Sequence, residues 1–383
     1  MNSIISFKEV DIGADGTIRC SVIRDGDTSE FYIKLPYSFQ PRADLVATAF
    51  VLIAGRAYEH IHIDLAIGPQ LHSELQKWSN SQIVARKGID TRRSPGREKV
   101  LNFSGGFDSM AALALEPNAH LVSLDFGGRF SRERQFFEKF QPNIIETNLV
   151  DLKLNRYSWT FMGIGALLFR DELNISSYAF GSIMAGSATQ LVNHPIDQQK
   201  QGLPPAQYFK MECANPVSGL SEIASMKIAA LYRPDLLLEI LKSVALPEEG
   251  KFLRKYQMLE AVLADLGMDY PLPSNLPNRP RGIKWGESLA TDLSALYVMT
   301  VLGIEHVLQV YPQGIPDEIL NFASTSQMEF MNHINPHAYQ GVSYEQLSSW
   351  YYKMIRYGIT PFNREHWHQM TETVELLSYS YHD

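Results

Sequence analysis

The sequence predicts an α/β protein built on a parallel sheet with crossover helices, preceded by a small α+β region and followed by a mostly helical one. Three observations carry this. From Lys99 onward the apolar runs "KVLNF", "HLVSLDF", "NIIETNL" and "ISSYAFGSI" alternate with helix-like stretches, an order that argues for parallel strands joined by helices. Before them stand shorter β-branched and aromatic runs separated by "ADGT" and "DGDTS", which read as hairpins. After about Leu220 the apolar spacing turns helical. At 383 residues, 45% hydrophobic and 20% charged, the chain has ordinary globular composition and room for two or three domains. The expected division is an α+β domain over 1–95, an α/β domain over 96–235 and a helical region over 236–383.

The elements follow in order. "SIISFKEVDI", "TIRCSVIR" and "SEFYIKLPY" read as strands, "ADLVATAFVLIAGRAYEH" as a buried helix and "IHIDLAI" as a further strand. "ARKGIDTRRSPGREK" is polar, basic and broken by Pro-Gly, and reads as a linker. In it Arg92, Arg93 and Arg97 read as solvated. The late helices are "SEIASMKIAALY", "PDLLLEILKSVA", "KFLRKYQMLEAVLADLG" and "LATDLSALYVMTVLGIEHVLQVY", interrupted by the proline-rich "PLPSNLPNRPRGIKWG". No internal repeat is visible.

Composition excludes several classes of function. A net charge of −8 argues against a polyanion binder over the whole surface, though not against a local basic groove, and nucleic acid is not the expected partner. The two cysteines, Cys20 and Cys213, form no C-x-x-C pair, which removes a zinc ribbon and a disulfide framework. A reducing, cytoplasmic setting accounts for them. "MNSIISFKEV" lacks the pattern of a signal peptide. The longest apolar run, "LVATAFVLIAG", is too short to cross a bilayer as a helix.

The most informative stretch is "LNFSGGFDSMAAL", Leu101 to Leu113. A strand, a glycine-rich turn and a helix start make an anion site, because glycines admit close backbone approach and the first amides of the helix point outward. Ser104 and Ser109 add hydroxyl donors. Asp108 would repel phosphate unless a cation lies between, and Mg²⁺ is the usual one. Neither the Walker pattern nor G-x-G-x-x-G is present. The plain alternative is a βα turn with ordinary capping.

"SGGFDS", Ser104 to Ser109, resembles the S-G-G-x-D-S loop of the PP-loop ATP pyrophosphatases, a family with a HUP-like parallel sheet. "YAFGSIMAG" resembles that family's fourth strand and "NPVSGLSEIASMKIA" its later proline-containing stretch and helix, so the likeness covers about Lys99 to Leu231. The layout is also similar to that of 7-cyano-7-deazaguanine synthases and of an ATP-dependent glutamate epimerase. The resemblance implies ATP with Mg²⁺ across the carboxyl ends of the strands, attack of a substrate oxygen on the α-phosphorus, and release of pyrophosphate and then AMP. It implies phosphate binding by Ser104, Gly105, Gly106 and Ser109, with Asp108 holding Mg²⁺ or ordering the loop and Ser104 and Asp108 closest to the chemistry. It further implies adenosine contacts from Asp125, Phe126 and Gly127, and a crevice wall from Gly181 and Ser182. For each of these later residues turn geometry or packing is the alternative.

The second half-reaction is less visible. Thiolating members use paired cysteines or a zinc knuckle and the 7-cyano-7-deazaguanine synthases carry a terminal cysteine zinc site, neither of which is found here, and a glutaminase needs an N-terminal Cys nucleophile or a Cys-His triad, where this sequence reads "MNSI". What survives is activation of a small-molecule carboxylate or amide. Epimerisation through an acyl-adenylate is one alternative. A non-catalytic nucleotide-binding or partner-binding protein, as a homo-oligomer or with an operon-encoded partner, is another. Two basic clusters are candidates for an anionic substrate: Arg129, Arg132 and Arg134 in "FGGRFSRERQ", and Arg279, Arg281 and Lys284 in "NRPRGIKWG". Solvated faces are the alternative. The histidines, His60 with His62, His333 with His337, and His366 with His368, form no metal motif and read as structural or surface groups. Cys213 reads as a small buried side chain, with a lone nucleophile as the alternative.

Overall fold

The computed structural model describes residues 3–91, 93–184, 195–273, 282–308 and 310–379. Its strands are β1 (Ile4–Ile12), β2 (Thr17–Arg24), β3 (Asp27–Lys34), β4 (His60–Ile67), β5 (Gln82–Lys87), β6 (Glu98–Asn102), β7 (His120–Asp125), β8 (Asn143–Thr147), β9 (Ile175–Ala179) and β10 (Glu212–Cys213). All of them join one sheet in the order β10-β9-β6-β7-β8-β3-β2-β1-β4-β5. The pairs from β10 through β8 are parallel, as are β1 with β4 and β4 with β5. The β8–β3, β3–β2 and β2–β1 pairs are antiparallel. The chain is therefore α/β with a large, mostly parallel sheet.

Compactness divides the chain into two units. The first comprises Met1–Ser104, Asn118–Phe180 and Gln199–Ala214. The second comprises Gly105–Pro117, Gly181–Gln198 and Asn215–Asp383. No division falls at residue 95, because β3 pairs with β8 and carries the sheet across that point.

In the first unit the core is set by period-two alternation on the strands and by one helix that is apolar all round. That helix, α1 (Ala43–Ala54), is buried from Leu45 to Ala54. Phe50 stacks on Phe7 of β1 with centroids 4.5 Å apart and meets Phe31 of β3 edge-on at 6.2 Å. A second helix, α2 (Pro69–Ser79), and strand β5 were not legible in the sequence. The helix has a proline at its first position and buries little beyond Leu71 and Leu75, too few apolar positions to stand out. Two short helices, α4 (Ser131–Phe137) and α5 (Ile164–Leu168), lie on the connections from β7 to β8 and from β8 to β9.

The stretch read as a linker is not free. Ala85 to Lys87 complete β5. Arg93, expected to be solvated, has a side chain only 5% exposed; it reaches Asp44 at 3.0 Å and Asp171 at 3.3 Å, over the ring of Phe209. Two carboxylates and an aromatic face, distant in sequence, supply the partners that a local reading cannot see. Arg97 is exposed as expected, and Arg92 lies outside the described residues.

The second unit is helical. It contains α3 (Phe107–Leu115), α6 (Glu222–Tyr232), α7 (Leu237–Val244), α8 (Gly250–Asp265), α9 (Leu289–Leu302), α10 (Asp317–Thr325), α11 (Tyr344–Arg356) and α12 (Arg364–Tyr379). The run expected as one long late helix breaks at Gly303, where α9 ends. α6 starts at Ser221, whose side chain accepts the amide of Ala224 at 3.0 Å, an N-cap. The buried small residues Ala111, Ala112 and Ala114 of α3 allow close packing on α6. Trp350 of α11 is fully buried and donates its indole N–H to Glu116, just past the end of α3. No helix among the described residues is long and apolar enough to cross a membrane.

Candidate functional site

The order of the parallel strands decides where a ligand would bind. From β6 the chain moves to β7 and β8 on one side, then returns to β9 and β10 on the other. β6 is thus where the winding reverses, and open α/β sheets take ligands outside the carboxyl ends of the strands at such a point. The glycine loop leaves from the carboxyl end of β6. Phe103 remains paired there, donating its amide to Val122 at 2.8 Å and accepting the Ser123 hydroxyl at 2.6 Å.

In the first unit the sequence-predicted residues are Ser104, Asp125, Phe126, Gly127, Arg129 and Arg132. Ser104 is exposed at the exit of β6, beside β7, which ends at Asp125. The Asp125 carboxylate is buried and engaged within its own turn: Oδ1 accepts the amide of Gly127 at 2.8 Å and Oδ2 pairs with Arg134 at 2.5 Å. Arg134 also reaches Glu138 at 2.8 Å and Glu146 at 2.9 Å, and Glu146 reaches Lys34 at 3.2 Å. These bonds hold the Arg134 guanidinium above its ordinary pKa, Glu138 contributing most, and pull the Glu146 carboxyl below its own through Arg134 first and Lys34 less. Of the first basic cluster, then, Arg134 is structural. Arg129 is exposed, with its guanidinium over the ring of Phe130, and Arg132 donates to the carbonyl of Arg129 at 3.4 Å. Phe126 packs edge-on against Phe130 and Phe161. A Cβ built on Gly127 would meet no atom within 4 Å, so the turn after β7 borders open space.

In the second unit the loop continues through Gly105, Gly106, Asp108 and Ser109. Gly105 has φ +79°, a left-handed conformation that a side chain would strain. Gly106 is the N-cap of α3, with extended backbone and no side chain to cover the first-turn amides. Gly181 comes to the same place, and Ser182 follows it in the chain. A Cβ on Gly181 would lie 2.8 Å from the amide nitrogen of Ser109 and 3.0 Å from its Oγ, so the chain after β9 can approach the start of α3 this closely only with glycine there. The carbonyl of Ser182 accepts from Asn215 Nδ2 at 2.7 Å.

Asp108 stands in the first turn of α3 and is half-buried. Its Oδ1 accepts the hydroxyl of Ser225, which is fully buried on α6 and also donates to the Glu222 carbonyl at 3.0 Å. One turn earlier on α6, the Glu222 carboxylate takes Lys255 of α8 on Oε1 and the Ser294 hydroxyl of α9 on Oε2 at 3.3 Å. Burial pushes the Lys255 ammonium below its ordinary pKa, and the charge of Asp108 acts in the opposite direction. Ser225 thus meets the loop carboxylate and the backbone carbonyl of Glu222, and the side chain of that same residue holds Lys255.

Ser225, Glu222 and Lys255 were missed in the sequence. A signal existed: Lys251, Arg254 and Lys255 are spaced three and four apart, one basic face of α8. Of the second predicted basic cluster, Arg279 and Arg281 lie outside the described residues, and Lys284 is exposed ahead of α9. Cys213 and Cys20 are buried, and burial pushes the Cys20 thiol up to about 12. His333 and His366 stack face to face at 4.0 Å, and no group of three or more His, Cys, Asp or Glu among the described residues could hold a metal ion. No family model matches the chain, and no curated protein or solved structure matches it either.

Proposed function

We propose that the protein binds Mg-ATP at the loop from Ser104 to Ser109 and transfers the adenylyl group to a small-molecule carboxylate or amide, the reaction class that the PP-loop resemblance implies. The observation that carries this reading is the position of the loop, at the carboxyl end of the strand where the winding of the parallel sheet reverses. The parts suit the group. The backbone at Gly105 and Gly106 and the start of α3, where Gly106 has no side chain to cap it, favour phosphate oxygens. The Asp108 carboxylate suits a Mg²⁺ ion that also touches phosphate, and Ser225 fixes its orientation. In the step itself a substrate oxygen forms a bond to the α-phosphorus, the bridging P–O bond breaks, and pyrophosphate leaves with the electron pair. Positioning and charge neutralisation by the loop carry most of such a transfer.

Incubation with ATP, Mg²⁺ and a fractionated metabolite extract tests the proposal. AMP and pyrophosphate should appear only with an active fraction, and Asp108→Asn should abolish their release while the protein stays folded. ADP formation, or ATP bound and recovered unchanged with every fraction, would overturn it.

A further inference from the structure

The second unit contains a cavity of about 210 Å³ that the loop reading leaves unexplained. It lies among α6, α8, α9 and the segment that ends at Tyr311, and it has two chemically distinct ends. One carries Glu222, Lys251, Arg254 and Lys255. The other is walled by Met258, Ala295, Val298, Val307, Val310 and Tyr311.

The charged end is unbalanced. Lys255 closes on Glu222, so that pair is neutral in sum. Among the described residues that line the cavity, Lys251 and Arg254 remain as positive charge beyond that pair. Arg254 donates to the Thr291 hydroxyl, which anchors the guanidinium but uses one of its five N–H donors. A planar guanidinium beside an ammonium suits a carboxylate, and the aliphatic wall beyond suits a hydrocarbon or aromatic body. Glu222 is one helical turn from Ser225, the partner of Asp108, so the charged end lies one turn of α6 from the residue that holds the loop carboxylate.

We infer that this cavity binds a small organic acid with an apolar chain or ring, its carboxylate at Arg254 and Lys251 and its body between Met258 and Val298. As the acceptor of the adenylyl group this acid rests on the proposed function; as a ligand it does not. The surplus positive charge selects against the uncharged analogue, and the apolar wall selects against an acid with no body.

Calorimetric titration of the full chain without nucleotide tests this, using 3-phenylpropionate, 3-phenylpropanol and acetate. The acid should bind at least about tenfold more tightly than the alcohol or acetate, the effect of one charge-assisted contact or of a buried ring. Lys251→Glu reverses an exposed charge, and Ala295→Phe fills the apolar end. Each should weaken 3-phenylpropionate by about tenfold or more, with the melting transition recorded as a check on folding. Absence of acid binding, equal binding of the alcohol, or indifference to both substitutions would overturn the inference. ATP binding measured on the same preparation separates the two proposals. Acid bound without any affinity for ATP leaves the cavity assignment standing and removes adenylation. ATP bound without acid does the reverse.

Discussion

The hydroxyl of Ser225, a residue with no solvent exposure, donates to Oδ1 of Asp108 across the packed helices α6 and α3. The loop carboxylate is thus oriented from behind by a neutral group. Ser225→Ala should destabilise the protein by about 2 kcal/mol in chemical denaturation, the scale of a hydrogen bond to a charged group. It should also weaken Mg-ATP binding, because Asp108 would be free to turn. An unchanged denaturation midpoint would show that the bond contributes nothing.

Gly181 is a tight point of the candidate site. Gly181→Ala would press a methyl group against the backbone of Asp108 and Ser109, atoms that cannot yield as a side-chain tip can. The expected cost is about 1–3 kcal/mol, as for other overpacked sites. Nucleotide affinity should fall further than stability does, since the displaced atoms include a first-turn amide of α3. Equal ATP affinity in the two proteins would remove Gly181 from the site.

Arg134 serves Asp125, Glu138 and Glu146 at once. Arg134→Gln leaves the buried Asp125 carboxylate without its charged partner and should cost about 2 kcal/mol at neutral pH. The pH dependence follows from Glu146, whose carboxyl is held below its ordinary value by Arg134 first and Lys34 second. Its stabilisation is present above the ordinary glutamate range and is lost as pH falls through the lowered value. The variant should therefore show a shallower loss of stability on acidification, read as denaturation midpoints from neutral pH down to about pH 2.

His333 and His366 stack at 4.0 Å, and burial lowers both pKa values, each ring's neutral form being favoured in the fold. His366 Nδ1 accepts the Asn363 amide at 3.3 Å, so that nitrogen carries no proton. The groups facing the pair are Lys227, which lowers His333, and Glu329 and Glu365, which raise His366 less than burial lowers it. The unfolded chain binds the extra protons, so stability should decrease as pH falls below about 6.5. His333→Gln should flatten that slope in a melting series; an unaltered slope would assign it to other groups.

Much of the fold was legible because the elements carry local signals. The strands from Ile4 to Lys34 and from Glu98 to Ala179 coincide with apolar runs, and α1 and α6 to α8 with helical spacing. The partner of β3 was not legible. A strand's pattern says which face is buried and not which strand, more than a hundred residues away, lies beside it. The same limit hid the ion pairs of Arg93. In the candidate site, Gly105, Gly106 and Asp108 announce themselves by type and spacing. Ser225 and Glu222 do not, and for Lys255 the spacing shows a basic face but not its partner, because these roles arise only when α3, α6 and α8 pack.

The junction of β3 and β8 has one further implication. Ile33 faces Thr147 and Lys34 faces Glu146, with Asn148 accepting the Tyr32 amide at 3.0 Å and Thr147 donating to the Tyr32 carbonyl at 2.8 Å. The amino-terminal strands thereby shield a border that would otherwise offer bare amides and carbonyls to any passing chain. A fragment trimmed to begin after residue 95 would carry that border into solution, and self-stacking that grows with concentration is the outcome to expect of it.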